Sequence, residues 1–457
     1  MAKDLFNFSA TQLLDSYRKK QLSPVDVTRA VLDRIAAYNP KINSFCYVDE
    51  EAALAVARAS EARWMKGEPM GLVDGVPVSI KDLVVTKGWP TLFGSKTVNP
   101  NQPWLEDAPC VARLREHGAI LLGKTCVSEF GCKIVTDNPL TGITRNPWNI
   151  EKSPGGSSGG AAAAVAAGMG PLAIGTDAGG SIRIPSSWTG VFGLKPTFGR
   201  VPHYPRSWYC SLSHVGPITR TVEDAQLMMT VITKPDPRDW YALPPDGRDY
   251  RVGKNNVVKG LKIAYSPDLG YAKVASEVAQ LVSKAIDIFS DLGAIIEQVA
   301  PIFKDPLQTH RRHFAVFTAK ILEGLTPEQR LLIDPGLLKF GELGSKIGLL
   351  DFLSAMGERE ALGLRMNLFH EEYDLLLTPT MPVTAPDIGV EWEELIGLNC
   401  FTFPFNHTKQ PAASVPCGLT NNGLPVGLQI IGPLYKDDLV LKVSRDYEAA
   451  RGEFPLP

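Results

Sequence analysis

The most restrictive feature of this chain is the stretch SPGGSSGGAAAAVAAGMGPLAIGTDAGGSIRIPSSWTGVFGLKP, from Ser153 to Pro196. Two glycine-serine turns bracket an alanine-rich helical run and a short strand-like segment, the second turn following within a few residues of the strand. A flexible linker has the composition of GGSSGG, but a linker opens into polar sequence, and this run feeds an apolar helix. A phosphate cradle is another use of such glycines. The spacing offers neither G-x-x-x-x-G-K-[ST] nor G-x-G-x-x-G ahead of a suitably placed acid, which sets that use aside.

In TDAGGSIR, the small residues Ala178, Gly179 and Gly180 lead into Ser181, and the successive backbone amides of such a turn can converge on one point. That is the layout of an oxyanion hole, with Ser181 placed as the nucleophile. A serine hydroxyl needs a base. Histidine is the usual one, but all seven histidines lie outside the glycine-rich region. The alternative is Lys81, set in the apolar run GVPVSIKDLVV from Gly75 to Val85, which reads as a buried strand. Burial disfavours the ammonium form; a drop of roughly three units from about 10.4, costing about 4 kcal/mol, would make the amine a base near neutrality. On the residues alone, Lys81 as base and Lys81 as a structural cation paired with Asp82 or another carboxylate stand side by side.

Helix-like and strand-like segments alternate along the chain, which gives an α/β class. The first 70 residues are helical: Ser9 and Gln12 form a capping box, Ser23-Pro24-Val25-Asp26 opens a second helix, and a third runs from about Glu50 to Lys66. The densest Pro, Asp and Arg stretch, Lys234 to Gly253, reads as a surface excursion. With 47 basic and 49 acidic residues, the net charge of -2 indicates no nucleic-acid or anionic-membrane partner. No signal-peptide pattern and no run of about 18 apolar residues is present, so a soluble, cytoplasmic protein is expected. The seven cysteines, without a C-x-x-C pair, read as reduced thiols. His310 and His313, flanking two arginines in THRRHF, read as a solvated helix face, and no metal or other cofactor is expected.

GVPVSIKD, SPGGSSGG and GTDAGGSIRIPSS together resemble the amidase signature family of Ser-Ser-Lys hydrolases, and TRNPWN, GLKPTFGRVP, HVGPITRTVEDA, LLLTPTMP and LPVGLQIIGP extend the resemblance along most of the chain. It implies one domain over residues 1–457, with a mixed central β-sheet covered by helices on both faces. Residues 1–70 would form a helical N-terminal segment, 71–230 the catalytic core, and 254–457 the rest of the sheet and the pocket helices. It further implies Ser181 as acyl-enzyme nucleophile and Ser157, after a cis peptide at Gly156, as proton relay to neutral Lys81. Ala178, Gly179, Gly180 and Ser181 match the oxyanion amides, and Ser158, Thr176, Asp177 and Arg183 match positions that brace the loop. Ala161 departs from the serine that many relatives carry there.

Within the family, the rival to a stand-alone amidase is the glutaminase component of a tRNA-dependent amidotransferase. In that branch an Asp precedes the F-T-x-P-x-N stretch and an Arg lies ahead of the helix before LxPT, together holding glutamine's charges; here Asn399 precedes FTFPFN, and GLLKFG holds no Arg. Loss of two charge-assisted contacts favours a small, uncharged or aromatic amide as substrate. The pocket candidates are Gly131 and Cys132, Tyr204 and Trp208, and Asn399 and Phe401. An esterase would use the same triad, whereas a non-catalytic binding protein on this fold would be expected to have lost part of it. A homodimer is carried as an open expectation.

Overall fold

In the computed structural model, which describes residues 2–251, 253 and 256–457, the strand-like segments of the sequence come together as one eleven-stranded mixed sheet. Its strands are β1 (Phe45–Val48), β2 (Pro77–Lys81), β3 (Ile120–Thr125), β4 (Leu172–Asp177), β5 (Phe192–Lys195), β6 (His214–Thr219), β7 (Lys262–Tyr265), β8 (Ile295–Gln298), β9 (Leu375–Pro379), β10 (Ala412–Leu419) and β11 (Pro425–Ile431). They lie in the order β1-β3-β2-β4-β6-β5-β10-β11-β9-β7-β8. Strand β2 runs parallel to both β3 and β4, and β7 runs parallel to both β8 and β9. The six remaining pairings are antiparallel.

Both faces of this sheet are covered, which explains why its strands are apolar runs rather than alternations of apolar and polar residues. Leu172 and Ile174 of β4 pack with the Val222–Ile232 helix, while Ala173 between them packs with Ala161, Ala162 and Val165 on the opposite side. Likewise Leu375 and Leu377 of β9 enter the larger cluster, and Leu376 meets Phe401 and Phe403 behind the sheet. The Gly159–Ala166 helix is buried along its whole length. Its side chains are all small, so it lies close to the sheet and can carry a loop into the interior.

The N-terminal helices follow their local signals. Ser9 and Gln12 make the reciprocal capping box of the Ala10–Arg18 helix, and Ser23 caps Pro24–Ile42 with proline at the first position. Asp49 caps Glu50–Lys66. The Lys234–Gly253 stretch has no helix or strand among its described residues; Val252 within it lies outside them. No described helix is long and apolar enough to cross a membrane.

Candidate active site

Strand alternation places Lys81. Val78 and Ile80 of β2 point into the larger apolar cluster, so Lys81, at the end of the strand, faces the opposite layer where the Gly159–Ala166 helix lies. Its Nζ lies 2.8 Å from Ser157 Oγ, 2.7 Å from Ser158 Oγ and 3.2 Å from the Thr176 carbonyl, all within hydrogen-bond reach. None of these partners is a carboxylate. Asp82, the sequence neighbour, instead accepts from the Leu92 and Gly94 amides, and the charge of Lys124 acts on it. Complete burial drives the Lys81 amine well below the ordinary lysine range, with the charge of Asp177 opposing the shift. The structural cation that the sequence left open would need a paired carboxylate here, and the amine has hydroxyl and carbonyl oxygens instead.

The loop carrying Ser157 and Ser158 enters through a cis Gly156–Ser157 peptide and continues directly into the Gly159–Ala166 helix. Glycine is required at this entry for lack of room. A Cβ on Gly160 would stand 2.5 Å from the backbone N and O of Cys126 and the carbonyl of Ser44, and one on Gly159 would stand 2.3 Å from Thr136 Oγ1. Ser158 Oγ in turn donates to the Thr176 carbonyl at 3.1 Å, tying the loop to the end of β4. Ala161, the departure noted in the sequence, is fully buried in the apolar cluster that includes Ala173 and Ile218.

The second turn leaves β4 at Asp177 and reaches Ser181 immediately before the Arg183–Thr189 helix. Asp177 organises it: Oδ1 accepts from the Gly180 amide at 2.7 Å, and Oδ2 accepts from the Ile182 amide at 3.2 Å. Arg183 meets the same carboxylate through Nε and Nη2, both at 3.0 Å, with both side chains fully buried. Burial alone would raise the Asp177 carboxyl, but the charge and hydrogen bonds of Arg183 hold it below the ordinary carboxylate range. From the C-terminal half of the chain, the Thr402 carbonyl, Asn406 Oδ1 and Gln429 Oε1 accept the remaining Arg183 protons. Thr402 Oγ1 and Asn399 Nδ2 hold the Gly179 carbonyl at 2.8 and 3.2 Å. Gly180 is confined: its φ is +126°, and a Cβ there would stand 2.2 Å from Thr402 Oγ1. Of the four amides matched to an oxyanion hole, that of Gly180 is committed to Asp177. Those of Ala178, Gly179 and Ser181 have no partner among the described residues.

Two cavities meet at Ser181 and Gly131. The larger, of about 990 Å³, is also lined by Ser157, Thr176, Ala178, Trp208 and Tyr209. The smaller, of about 660 Å³, is lined by Cys132, Gly179, Asn399 and a set of apolar side chains that includes Phe314, Phe340 and Trp392. The sequence-predicted Gly131, Cys132, Trp208 and Asn399 therefore lie on cavity walls. Two candidates do not. Phe401 is fully buried in the cluster behind β9 and β11, where its carbonyl accepts from Gln429. Tyr204 is absent from both walls and carries the Arg238 guanidinium over its ring at 4.9 Å.

The reading of His310 and His313 as a solvated face is also corrected, because both are buried. His310 lines the smaller cavity and stacks on Phe403, and His313 packs against His407 and Phe352. The two arginines between them masked a usable signal. His310, His313, Phe314 and Phe317 recur at i, i+3, i+4 and i+7, which is an inward stripe once imidazole is counted as a packing side chain. Phe314, Phe340 and Trp392 were missed for a different reason: their segments meet the turn only in the tertiary structure.

The match to known proteins is extensive. A family model described as Amidase matches residues 26–321 and 343–441. An acylamidase of Rhodococcus erythropolis is 36% identical over 467 residues, covering 98% of this chain and 96% of its own length. A glutamyl-tRNA(Gln) amidotransferase component of Acidothermus cellulolyticus is likewise 36% identical, over 490 residues, covering 98% of this chain and 95% of its own. Among solved structures, a bacterial aryl acylamidase of the amidase signature family superimposes with a TM-score of 0.89 at 34% identity, covering 97% of this chain and 96% of that one. On the sheet, the two glycine turns and these matches along almost its whole length, the chain belongs to the amidase signature family of hydrolases.

Proposed function

We propose that the protein is a stand-alone amidase that hydrolyses a small, linear, uncharged amide carrying an aromatic or apolar group, through an acyl-enzyme on Ser181. The observation that carries this reading is the buried Lys81 amine, 2.8 Å from Ser157 Oγ, with hydroxyls and a carbonyl around it and no carboxylate. Burial favours the neutral form of such an amine, and a neutral amine can accept a proton. Ser181 Oγ attacks the carbonyl carbon and passes its proton by way of Ser157 to Lys81. The oxygen, now negative, is received by the amides of Ala178, Gly179 and Ser181. When the C–N bond breaks, the proton returns through Ser157 to the departing amine, and water then releases the acid from Ser181 by the same route. Ser158, Thr176, Asp177 and Arg183 hold this geometry without touching the reacting bond.

The cavity walls favour an uncharged substrate over glutamine. Neither wall includes an aspartate or glutamate among the described residues, so no carboxylate is offered to an α-ammonium group. Of the wall cations, Lys133 at the smaller cavity is already paired with Asp137 and Asp334, which leaves Arg311 there and Arg206 at the larger cavity, so it is the α-ammonium group that disfavours glutamine. The esterase alternative shares every step and is separated only by rates on matched amide and ester pairs.

Ser181→Ala is expected to abolish turnover with an unchanged melting temperature, and a fluorophosphonate probe is expected to label the native enzyme at Ser181 alone. Labelling at another serine would falsify the assignment. A panel of aryl, alkyl and primary amides beside glutamine, with ammonia and amine both quantified, tests the substrate class. Glutamine as the best substrate would move the protein to the glutaminase branch.

A further inference from the structure

A buried histidine pair, His310 and His407, stands beside the Ser181 turn and takes no part in the chemistry above. His310 Nδ1 lies 3.2 Å from His407 Nε2, and the His310 ring stacks on Phe403 at 4.3 Å with the planes 9° apart. His310 is only 7% exposed. Its outer edge faces the turn: a Cβ on Gly179 would stand 3.2 Å from His310 Cε1 and 3.4 Å from Nε2. That Nε2 has no hydrogen-bond partner among the described residues, and His310 lines the smaller cavity.

One proton joins the two rings, and the unpaired ends decide which ring supplies it. His407 Nδ1 is buried without a partner. A buried N–H left unpaired is rarer than an acceptor left unpaired. Other buried histidines here follow that rule. His313 Nδ1 donates to the Thr309 carbonyl at 2.9 Å and His214 Nδ1 to the Leu212 carbonyl at 2.8 Å, and in each ring the partnerless nitrogen is the bare Nε2. His407 accordingly keeps Nδ1 bare and donates from Nε2 to His310 Nδ1. His310 then carries its own proton on Nε2, as a donor toward the cavity. Burial, helped by the neighbouring His313, pushes the His310 imidazole down to about 3, so the ring stays neutral at physiological pH.

Resting on the Ser181 reading above, we infer that His310 is a specificity-determining residue of an acyl subsite, where Nε2–H meets an acceptor oxygen on the substrate's acyl group near the scissile carbonyl. Ser157 sets the direction of the substrate. It lies on the wall of the larger cavity and not on that of the smaller, so the amine, which takes its proton from Ser157 as the C–N bond breaks, leaves on that side. The acyl group stays bonded to Ser181 Oγ and occupies the smaller cavity. There Leu307, Phe314, Phe340 and Trp392 form apolar wall around the His310 donor. A buried donor rejects an analogue that lacks the acceptor, because the N–H is then left unpaired.

The test uses methoxyacetanilide and butyranilide, which share the aniline leaving group and differ by an ether oxygen in place of a methylene. Titration calorimetry on Ser181→Ala measures binding without turnover. With His310 intact, methoxyacetanilide is expected to bind about three- to tenfold more tightly, the range of one neutral hydrogen bond. His310→Phe keeps the stack on Phe403 without the donor and should equalise the two, and His310→Gln restores a donor and should recover part of the preference. Equal affinities with His310 intact, a preference that survives His310→Phe, or binding of neither probe overturns the inference. Failure of the underlying reading shows separately, as turnover that persists in Ser181→Ala.

Discussion

Lys81 is fully buried, and its three hydrogen-bond partners are all uncharged. Because burial depresses its native pKa while the unfolded side chain titrates near about 10.4, the unfolded chain holds the extra proton throughout the window between those two values. Stability contributed at this position must therefore rise with pH through that window and level off above it. Urea denaturation at several pH values between 7 and 10 is expected to show a shallower rise for Lys81→Met than for the native protein. Lys195, depressed in the same way, is present in both and cancels in the difference. Identical slopes would mean that Lys81 is charged in the folded state. Activity gives a second measure. Lys81→Ala should lose about 10²- to 10⁴-fold in kcat/KM at neutral pH and recover part of it at high pH, where solvent hydroxide substitutes for the base. A pH-independent defect would return Lys81 to a structural role.

Among the elements, the Gly159–Ala166 helix and the Leu349–Phe369 helix use glycine in opposite ways. Gly160 lies against the backbone of Cys126 and Ser44 with no room for a methyl group, whereas Gly363 has nothing within 4 Å of where its Cβ would be. Gly160→Ala is expected to lose about 3 kcal/mol or more, since backbone cannot move aside as a side chain can. Gly363→Ala should gain about 0.5 to 1 kcal/mol from helix propensity and reduced freedom of the unfolded chain. Chemical denaturation of the two single variants checks both signs. The same contrast shows what could be read from the sequence. GGSSGG followed by AAAAVAA reads as a turn feeding a helix, and DAGGS as a turn of converging amides, because small residues leave their mark in composition, whereas the lack of room at Gly159 and Gly160 shows only in the folded chain. Arg311 and Arg312 obscure the inward stripe of the Leu307–Glu323 helix, and Phe401 reads as a pocket residue in the sequence because core and pocket aromatics look alike until the sheet behind them is known. The commitment of the Gly180 amide to Asp177 left no trace in the sequence, since a donor in use and a free donor have the same letter.

At the scale of the whole molecule, the Ser181 turn from the first half of the chain is held by groups from the second: Thr402, Asn406 and Gln429 surround Arg183. A chain ending at Thr380 is therefore expected to leave Arg183 without these partners and to show no fluorophosphonate labelling at Ser181; labelling at native levels would show that the first half assembles the site alone. The strand order makes the same point more strongly. Strands β10 and β11, the last to appear in the sequence, lie between β5 and β9 and join the two halves of the sheet. A growing polypeptide thus reaches the middle of its own sheet only after both flanks have been made. Until residues near Gln429 have left the ribosome, Ser181, Ser157 and Lys81 are already made but Arg183 is not yet braced, and no hydrolysis is expected from the nascent chain before that point.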